Sequence, residues 1–236
     1  MKRILITGAN RGVGFELTRQ YVQAGDNHVF ATCRTPDKAS ELNTLAKQHP
    51  NKVTIIQLDI SDSKSIESSV KAVEQHTNAL DILINNAGIF PKGGHQSQNL
   101  GKLSINDVSQ VVTTNSVSPL IVTQAYRHLL KKGNNPRVVM ISSQLGSLIN
   151  AGSGSYAYRM SKASMNMAAR VLANDGDMSG IITITTHPGW VQTDMGGASA
   201  SITPTQSATG LMKLINGLTR SDNGKFYKWN GEEHLW

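Results

Sequence analysis

The chain of 236 residues contains a single cysteine, Cys33. One thiol excludes an internal disulfide framework and any multi-cysteine metal site, and no metal is expected. Long apolar runs are also missing. The first, Ile4-Leu5-Ile6, stops at Thr7-Gly8, and no run approaches the roughly 20 residues of a membrane helix. That opening run is too short for a signal peptide, so the expected compartment is cytoplasmic and no membrane partner is expected. Only 17% of residues are charged against 39% hydrophobic, which excludes bulk disorder. The net charge of +7 is scattered, with adjacent basic pairs only at Lys2-Arg3 and Lys131-Lys132. Without a basic stripe interleaved with aromatics, no nucleic-acid partner is expected.

What the chain does have is alternation. Apolar, β-rich runs occur at Arg3–Ile6, His28–Thr32, Val53–Leu58, Ile82–Ile84, Arg137–Ser142 and Ile181–Thr186. Helical spacing covers Val13–Gln23, Asp37–His49, Ser63–Gln75, Asn106–Lys132 and Ser155–Asn174. Strands alternating with helices predict an α/β fold, a doubly wound parallel sheet with helices on both faces. No composition break or repeat divides the chain, so residues 1–236 read as a single domain. Thr203-Pro204-Thr205-Gln206 predicts a capped helix start, with a helix over Pro204–Leu218. Gly196–Ser201 before it reads as a mobile loop or a plain connector.

The first strand runs into a glycine-rich turn, Thr7-Gly8-Ala9-Asn10-Arg11-Gly12-Val13-Gly14, which opens a helix. Glycines let backbone N–H groups approach a pyrophosphate, and a helix N-terminus adds partial positive charge. The spacing Gly8-x3-Gly12-x-Gly14 differs from G-x-G-x-x-G, and no Gly-Lys-Ser/Thr follows, which disfavours a P-loop. Such turns are often only structural, but the strand-turn-helix context points to a nucleotide. An NAD-binding chain places a carboxylate about 20 residues further on. Here the corresponding residues are Cys33 and Arg34. Arg34 and Arg11 are suited to flank a 2′-phosphate through bidentate contacts, so NADP(H) is expected over NAD(H). The plain alternative is two solvated surface arginines.

Tyr158-Arg159-Met160-Ser161-Lys162 places a phenol and an ammonium at i and i+4 on one helix face. The cation is expected to lower the phenol pKa from about 10 toward general acid–base use. Alone, such a pair fits an ordinary surface helix. Val138–Ser143 is a strand ending in two hydroxyls, where an open α/β sheet has its ligand crevice. Asp81–Gly88 and Thr186–Asp194 likewise end strands in small and polar residues.

Taken in order, Thr7-Gly8-x3-Gly12-x-Gly14, Leu58-Asp59-Ile60, Asn85-Asn86-Ala87-Gly88, Asn115, Ser142-Ser143, Tyr158-x3-Lys162 and Pro188-Gly189-x-Val191-x-Thr193 resemble the short-chain dehydrogenase/reductase family over essentially the whole chain. Asn10-Arg11-Gly12, His187–Val191, Thr193–Gly197 and the Trp236 terminus make it most similar to the C-factor-like and sniffer-like carbonyl reductases. The resemblance implies a Rossmann-like fold and a reaction between NADPH and a small carbonyl or alcohol substrate.

It also implies roles. Tyr158 exchanges a proton with the substrate oxygen. Lys162 holds the nicotinamide ribose and lowers the Tyr158 pKa. Ser143, rather than Ser142, binds the carbonyl, and Asn115 holds a water that links Lys162 to solvent. Gly8, Asn10, Arg11, Gly12, Val13, Gly14 and Arg34 surround the phosphates. Asp59 and Ile60 meet adenine, although Asp59 could instead cap the following helix. Asn85, Ala87 and Gly88 line the ribose and pyrophosphate, and Val191 and Thr193 meet the carboxamide. Tyr156 lines the pocket or simply packs. The pocket itself is expected from His95, Leu145–Tyr156 and Met195–Pro204. The family's monomeric carbonyl reductases carry an insertion before the tyrosine, absent here, so a homodimer or homotetramer is expected through Asn106–Lys132 and Tyr158–Asn174. The alternative to an enzyme is a non-catalytic NADP-binding signalling or redox-sensing protein of the C-factor type.

Overall fold

A computed structural model describes the backbone of all 236 residues and every side chain except those of His95 and Gln96. Seven strands form one parallel sheet: β1 (Lys2–Ile6), β2 (Asn27–Cys33), β3 (Val53–Gln57), β4 (Ile82–Asn85), β5 (Arg137–Ile141), β6 (Ile182–His187) and β7 (Phe226–Lys228). Their order is β3-β2-β1-β4-β5-β6-β7. The helices are α1 (Gly12–Gln23), α2 (Ser40–Gln48), α3 (Ser63–Glu74), α4 (Ile105–Val112), α5 (Ser118–Leu130), α6 (Tyr156–Asn174) and α7 (Pro204–Gly217).

Buried residues at successive strand positions follow from covering both faces, although in β6 Thr183, Thr185, Thr186 and His187 stand beside Ile182 and Ile184. Ile4 and Ile6 join one core with Leu17 of α1 and Leu211 of α7. Leu5, between them, joins the opposite core with Tyr126 of α5 and Met165 of α6. The strand order reverses beside β1, which pairs with β2 on one side and β4 on the other. A crevice at the carboxyl ends of β1 and β4 is the ligand position in such sheets.

Two expectations are corrected, and a third segment, the Gly196–Ser201 loop or connector, is now seen in detail. The single helix over Asn106–Lys132 is α4 and α5 joined by a π-helical turn, Thr113–Val117. Pro119 explains the break: it has no N–H to give Asn115, and its ring would strike that carbonyl in a regular helix. The Ser118 N–H donates five residues back, to the Thr113 carbonyl. Gly196–Ser201 is a hydrogen-bonded turn, pinned by Trp190 Nε1 donating to the Gly196 carbonyl at 2.8 Å and Gly197 N to the Thr193 carbonyl at 2.8 Å. The Asp37–His49 stretch begins as a separate 3-10 turn, Pro36–Lys38, before α2. The Thr203–Gln206 capping box is present at the start of α7. β7 went unanticipated because its three residues carry too little pattern.

Candidate active site

The first βα turn is built for a close approach. Gly8 and Gly12 have φ of +65° and +55°, a left-handed region that disfavours side chains. A Cβ on Gly14 would stand 2.3 Å from the Gly8 carbonyl oxygen and 2.4 Å from Asn86 Nδ2. Arg11, the N-cap of α1, makes no side-chain cap, so the first amides of the helix keep their anion-binding capacity. Asn10 and the half-buried Val13 complete the turn.

Thr7 and Asn86 lock this turn to the end of β4. Asn86 and Ala87 amides both donate to Thr7 Oγ1 at 3.0 Å, while Asn86 Nδ2 donates to the Thr7 and Gly8 carbonyls at 2.9 and 3.1 Å. Neither Thr7 nor Asn86 was singled out as a site residue, although both lie within the quoted motifs. The Asn85 side chain, by contrast, turns into the core. Its Nδ2 donates to Thr123 Oγ1 at 3.0 Å, so only its backbone can face a ligand.

Arg34 is exposed at the end of β2, near enough to Asp59 for its charge to act there. Burial opposes ionisation of Asp59, but hydrogen bonds from Ser61 and the Arg34 charge outweigh it and hold the carboxyl below the usual range. Asp62, not Asp59, caps α3. Ile60 is buried in the core beside it. Arg11 ion-pairs with Asp194 at 2.8 Å, an engagement not anticipated from sequence. Behind that pair Thr193 packs on Gly12, where a Cβ would lie 3.2 Å from Thr193 Cγ2. Val191 is buried and bridges to Ile202.

Tyr158, Ser143 and Lys162 converge at the carboxyl end of β5. The two serines point differently. Ser142 Oγ donates to the Lys162 carbonyl at 3.3 Å, whereas Ser143 Oγ accepts from the Leu145 amide at 3.1 Å and stands near enough to the Tyr158 phenol to favour its ionised form. Lys162 is buried, donates to the Ile141 carbonyl at 2.9 Å, and lies 5.7 Å from the Tyr158 ring centroid. A Cβ on Gly88 would stand 3.7 Å from Lys162 Nζ, so the end of β4 borders the same site.

The electrostatics differ from expectation. Burial pushes the Tyr158 phenol up to about 12, only partly offset by Ser143. Burial also pushes Lys162 down to about 8. Desolvation favours both neutral forms and dominates over the expected lowering of the phenol by Lys162.

Asn115 sits in the π-helical turn, fully buried. Its Oδ1 accepts from Ile89 N at 2.8 Å, and its Nδ2 donates to the Ile89 carbonyl at 2.8 Å and to Ser161 Oγ at 3.1 Å. The side chain therefore clamps the segment after β4. With the side chain engaged in this way, a water expected at Asn115 would have to be held by its backbone. Above Tyr158 stand Phe90, with ring centroids 5.0 Å apart, and Met195, whose Sδ is 4.0 Å from the phenol oxygen. Tyr156 lines an open depression of about 490 Å³ with Asn99, Leu100 and Ser153–Ser155. The expected contribution of His95 lies outside the described side chains. Among the described residues no helix is long and apolar enough to cross a membrane, and no three metal-ligating side chains group together.

A doubly wound sheet with a glycine cradle at its switch point and a Tyr-Lys-Ser set beside it defines a nucleotide-dependent oxidoreductase. The short chain dehydrogenase family pattern matches residues 2–202, and the chain belongs to that family. It is 41% identical to C-signal of Myxococcus xanthus over 161 residues, 68% of this chain and 95% of that protein. Among solved structures, it is similar to the NADPH-bound carbonyl reductase from chicken fatty liver, at TM-score 0.92 and 33% identity over 100% and 99% of the two chains. Carbonyl reductase Sniffer of D. melanogaster matches with TM-score 0.92 and 33% identity, over 100% of both chains.

Proposed function

We infer that this protein is an NADP(H)-dependent carbonyl reductase, exchanging a hydride between the cofactor and a ketone or aldehyde. The observation that carries the reading is the meeting of Tyr158, Ser143 and Lys162 beside the Gly8–Gly14 cradle. The cradle, where side chains would collide, and the uncapped α1 suit a pyrophosphate. Arg34, in place of a carboxylate, suits a 2′-phosphate. NADPH, when bound, supplies the hydride.

The chain's own residues handle the oxygen. The Ser143 hydroxyl and the Tyr158 phenol, near neighbours at the end of β5, would hold a carbonyl oxygen between them. A phenol near 12 is protonated at neutral pH, so Tyr158 is poised to give its proton to the developing alkoxide. Lys162, positively charged below about 8, lies where its ammonium holds ribose hydroxyls and stabilises the phenolate left behind.

We further propose a homodimer, in the cytoplasm. Met160, Met167 and Val171 form an exposed apolar stripe along α6, with Ile105 and Val117 exposed on the neighbouring α4 and π-helical turn. Sedimentation showing only 25.5 kDa species at micromolar concentration would refute the dimer.

The similarity to C-signal favours a second reading, a non-catalytic NADP-binding signalling protein. Binding alone requires neither Ser143 nor Tyr158, which supports the enzyme. NADPH consumption, followed by absorbance with a panel of aldehydes and ketones, separates the two. Turnover that is lost in Tyr158→Phe while NADPH binding is kept supports the reductase. Tight NADPH binding with no wild-type turnover supports the signalling protein.

A further inference from the structure

The loop from Ser143 to Tyr158 carries a catalytic residue at each end, so its position sets one wall of the substrate site. It has little apolar anchorage of its own: Leu148 and Ile149 are 74% and 68% exposed. The Ser147, Asn150 and Ala151 amides turn back within the loop, to Gln144, Ser147 and Leu148. The Ile149 amide instead donates to the backbone oxygen of Trp236, 3.0 Å away.

Trp236 is itself held. After β7 the chain folds back, with Lys228 N donating to the Glu232 carbonyl and His234 N to the Phe226 carbonyl, both at 2.7 Å. The His234 ring stacks on Phe226 at 4.6 Å and meets His187, at the end of β6, edge-on at 6.3 Å. The Trp236 indole lies 5.3 Å from Phe226 and beneath the Arg170 guanidinium of α6 at 5.4 Å. Arg170 is tied in turn to the Gly224 carbonyl at 3.2 Å. A chain of contacts thus runs from β6, β7 and α6 through Trp236 to the middle of the loop, while its two ends are held separately by α6, with Asn166 Nδ2 donating to the Gly146 carbonyl and Arg159 Nε to the Gly154 carbonyl, both at 3.1 Å.

We propose that Trp236 is a positioning residue for the substrate site: it clasps the 144–155 loop at Ile149 and so sets the fit of the carbonyl substrate. The proposal rests on the carbonyl-reductase reading of that site. It separates substrate fit from cofactor binding, because Ile149 and Trp236 lie away from the glycine cradle, and the Gly146 end of the loop, which packs on Lys162, is held independently by Asn166.

The test compares wild type, Trp236→Ala and Trp236→Phe with NADPH and 4-nitrobenzaldehyde, together with hydrogen exchange of the loop. In Trp236→Ala, exchange across residues 145–155 is expected to rise and KM for the aldehyde to increase about tenfold, as loss of uniform substrate binding would give. NADPH Kd and kcat are expected to stay as in wild type. Trp236→Phe retains a ring for Phe226 and Arg170 and is expected to recover most of the loss. Wild-type KM and loop exchange in Trp236→Ala would overturn the proposal. Should that variant fail to melt cooperatively, Arg170→Gln replaces it, with the same two changes expected and their absence equally decisive. A wild type that reduces no carbonyl would overturn the reading of the site, while loop exchange would still decide whether the clasp exists.

Discussion

Lys162 and Tyr158 stand one helical turn apart, with the ammonium nitrogen 5.7 Å from the phenol centroid, yet the ammonium gives its hydrogen bond to the Ile141 carbonyl. Burial leaves the phenol protonated far above neutrality and brings the lysine to about 8. Lys162, not Tyr158, is therefore expected to set the alkaline limb of carbonyl reduction. kcat/KM should be level up to about pH 8 and fall above it as the ammonium loses its proton. Lys162→Arg, whose charge does not titrate in this range, should move the limb upward. A wild-type profile that stays level well past pH 8 would contradict this assignment.

The same burial predicts a stability penalty. Between about 8 and 10.5 the unfolded chain holds a proton that folded Lys162 has released, so stability rises with pH across that window. Below it the buried ammonium costs about 3 kcal/mol at most. Lys162→Met should be inactive yet more stable than wild type at pH 7 in urea unfolding, by up to that amount. The lost hydrogen bond to Ile141 reduces the gain, which should vanish above pH 10.5. Equal or lower stability of the variant at pH 7 would rule out this account.

The two serines at the end of β5 offer a clean contrast. Ser143 stands near the phenol, whereas Ser142 is spent on the Lys162 carbonyl. Ser143→Ala should lose about 10²–10³ in kcat, the usual size for one donor aimed at a developing oxyanion. Ser142→Ala should lose far less in kcat, and a cost of about 1 kcal/mol in stability is expected from its single hydrogen bond. Steady-state kinetics beside thermal melts of both variants tests the distinction.

Strand and helix positions were legible because both faces of the sheet are covered, so its strands read as short runs of apolar and β-branched residues on both alternate positions. The glycine turn was legible because Gly8, Gly12 and Gly14 answer local steric demands. What escaped were facts of three-dimensional partnership. That Asn85 turns inward while Asn86 meets the turn depends on which strand face meets α5. That Arg11 is already paired depends on Asp194, far along the chain. The Tyr158 pKa could not be foreseen because the i, i+4 spacing reports neighbours and not solvent access. The π-helical turn was within reach, since Pro119 stood inside the expected helix.

Asn115 makes a test of that turn. Its side chain spends three hydrogen bonds on Ile89 and Ser161, joining α4 and α5 to the segment that follows β4. Asn115→Ala leaves the half-buried Ile89 amide and carbonyl without these partners. Each unsatisfied group typically costs about 1–3 kcal/mol. The variant should lower the denaturant midpoint accordingly and disorder the Gly88–Ile89 edge of the site, raising NADPH Kd and KM together. A variant that loses activity with unchanged stability and Kd would show that Asn115 acts on the chemistry instead.

The arginines at the cofactor end predict unequal effects. Among the described residues Arg34 has no ion pair at hydrogen-bond distance, so its guanidinium is available to a 2′-phosphate. A charge-assisted hydrogen bond is worth about 1.5–3 kcal/mol, so Arg34→Ala should weaken NADPH binding about ten- to hundredfold and leave NADH binding unchanged. Arg11 must first leave Asp194, 2.8 Å away, and both partners are largely exposed, so the exchange gains little. Arg11→Ala should therefore weaken NADPH binding less than Arg34→Ala. Asp194→Asn, which frees Arg11 and removes a nearby negative charge, should tighten it, most at low salt. Fluorescence titration of NADPH and NADH against the three variants settles the order. Equal losses for both cofactors in Arg34→Ala would mean that this arginine does not read the 2′-phosphate, and the preference would then have to come from Arg11 alone.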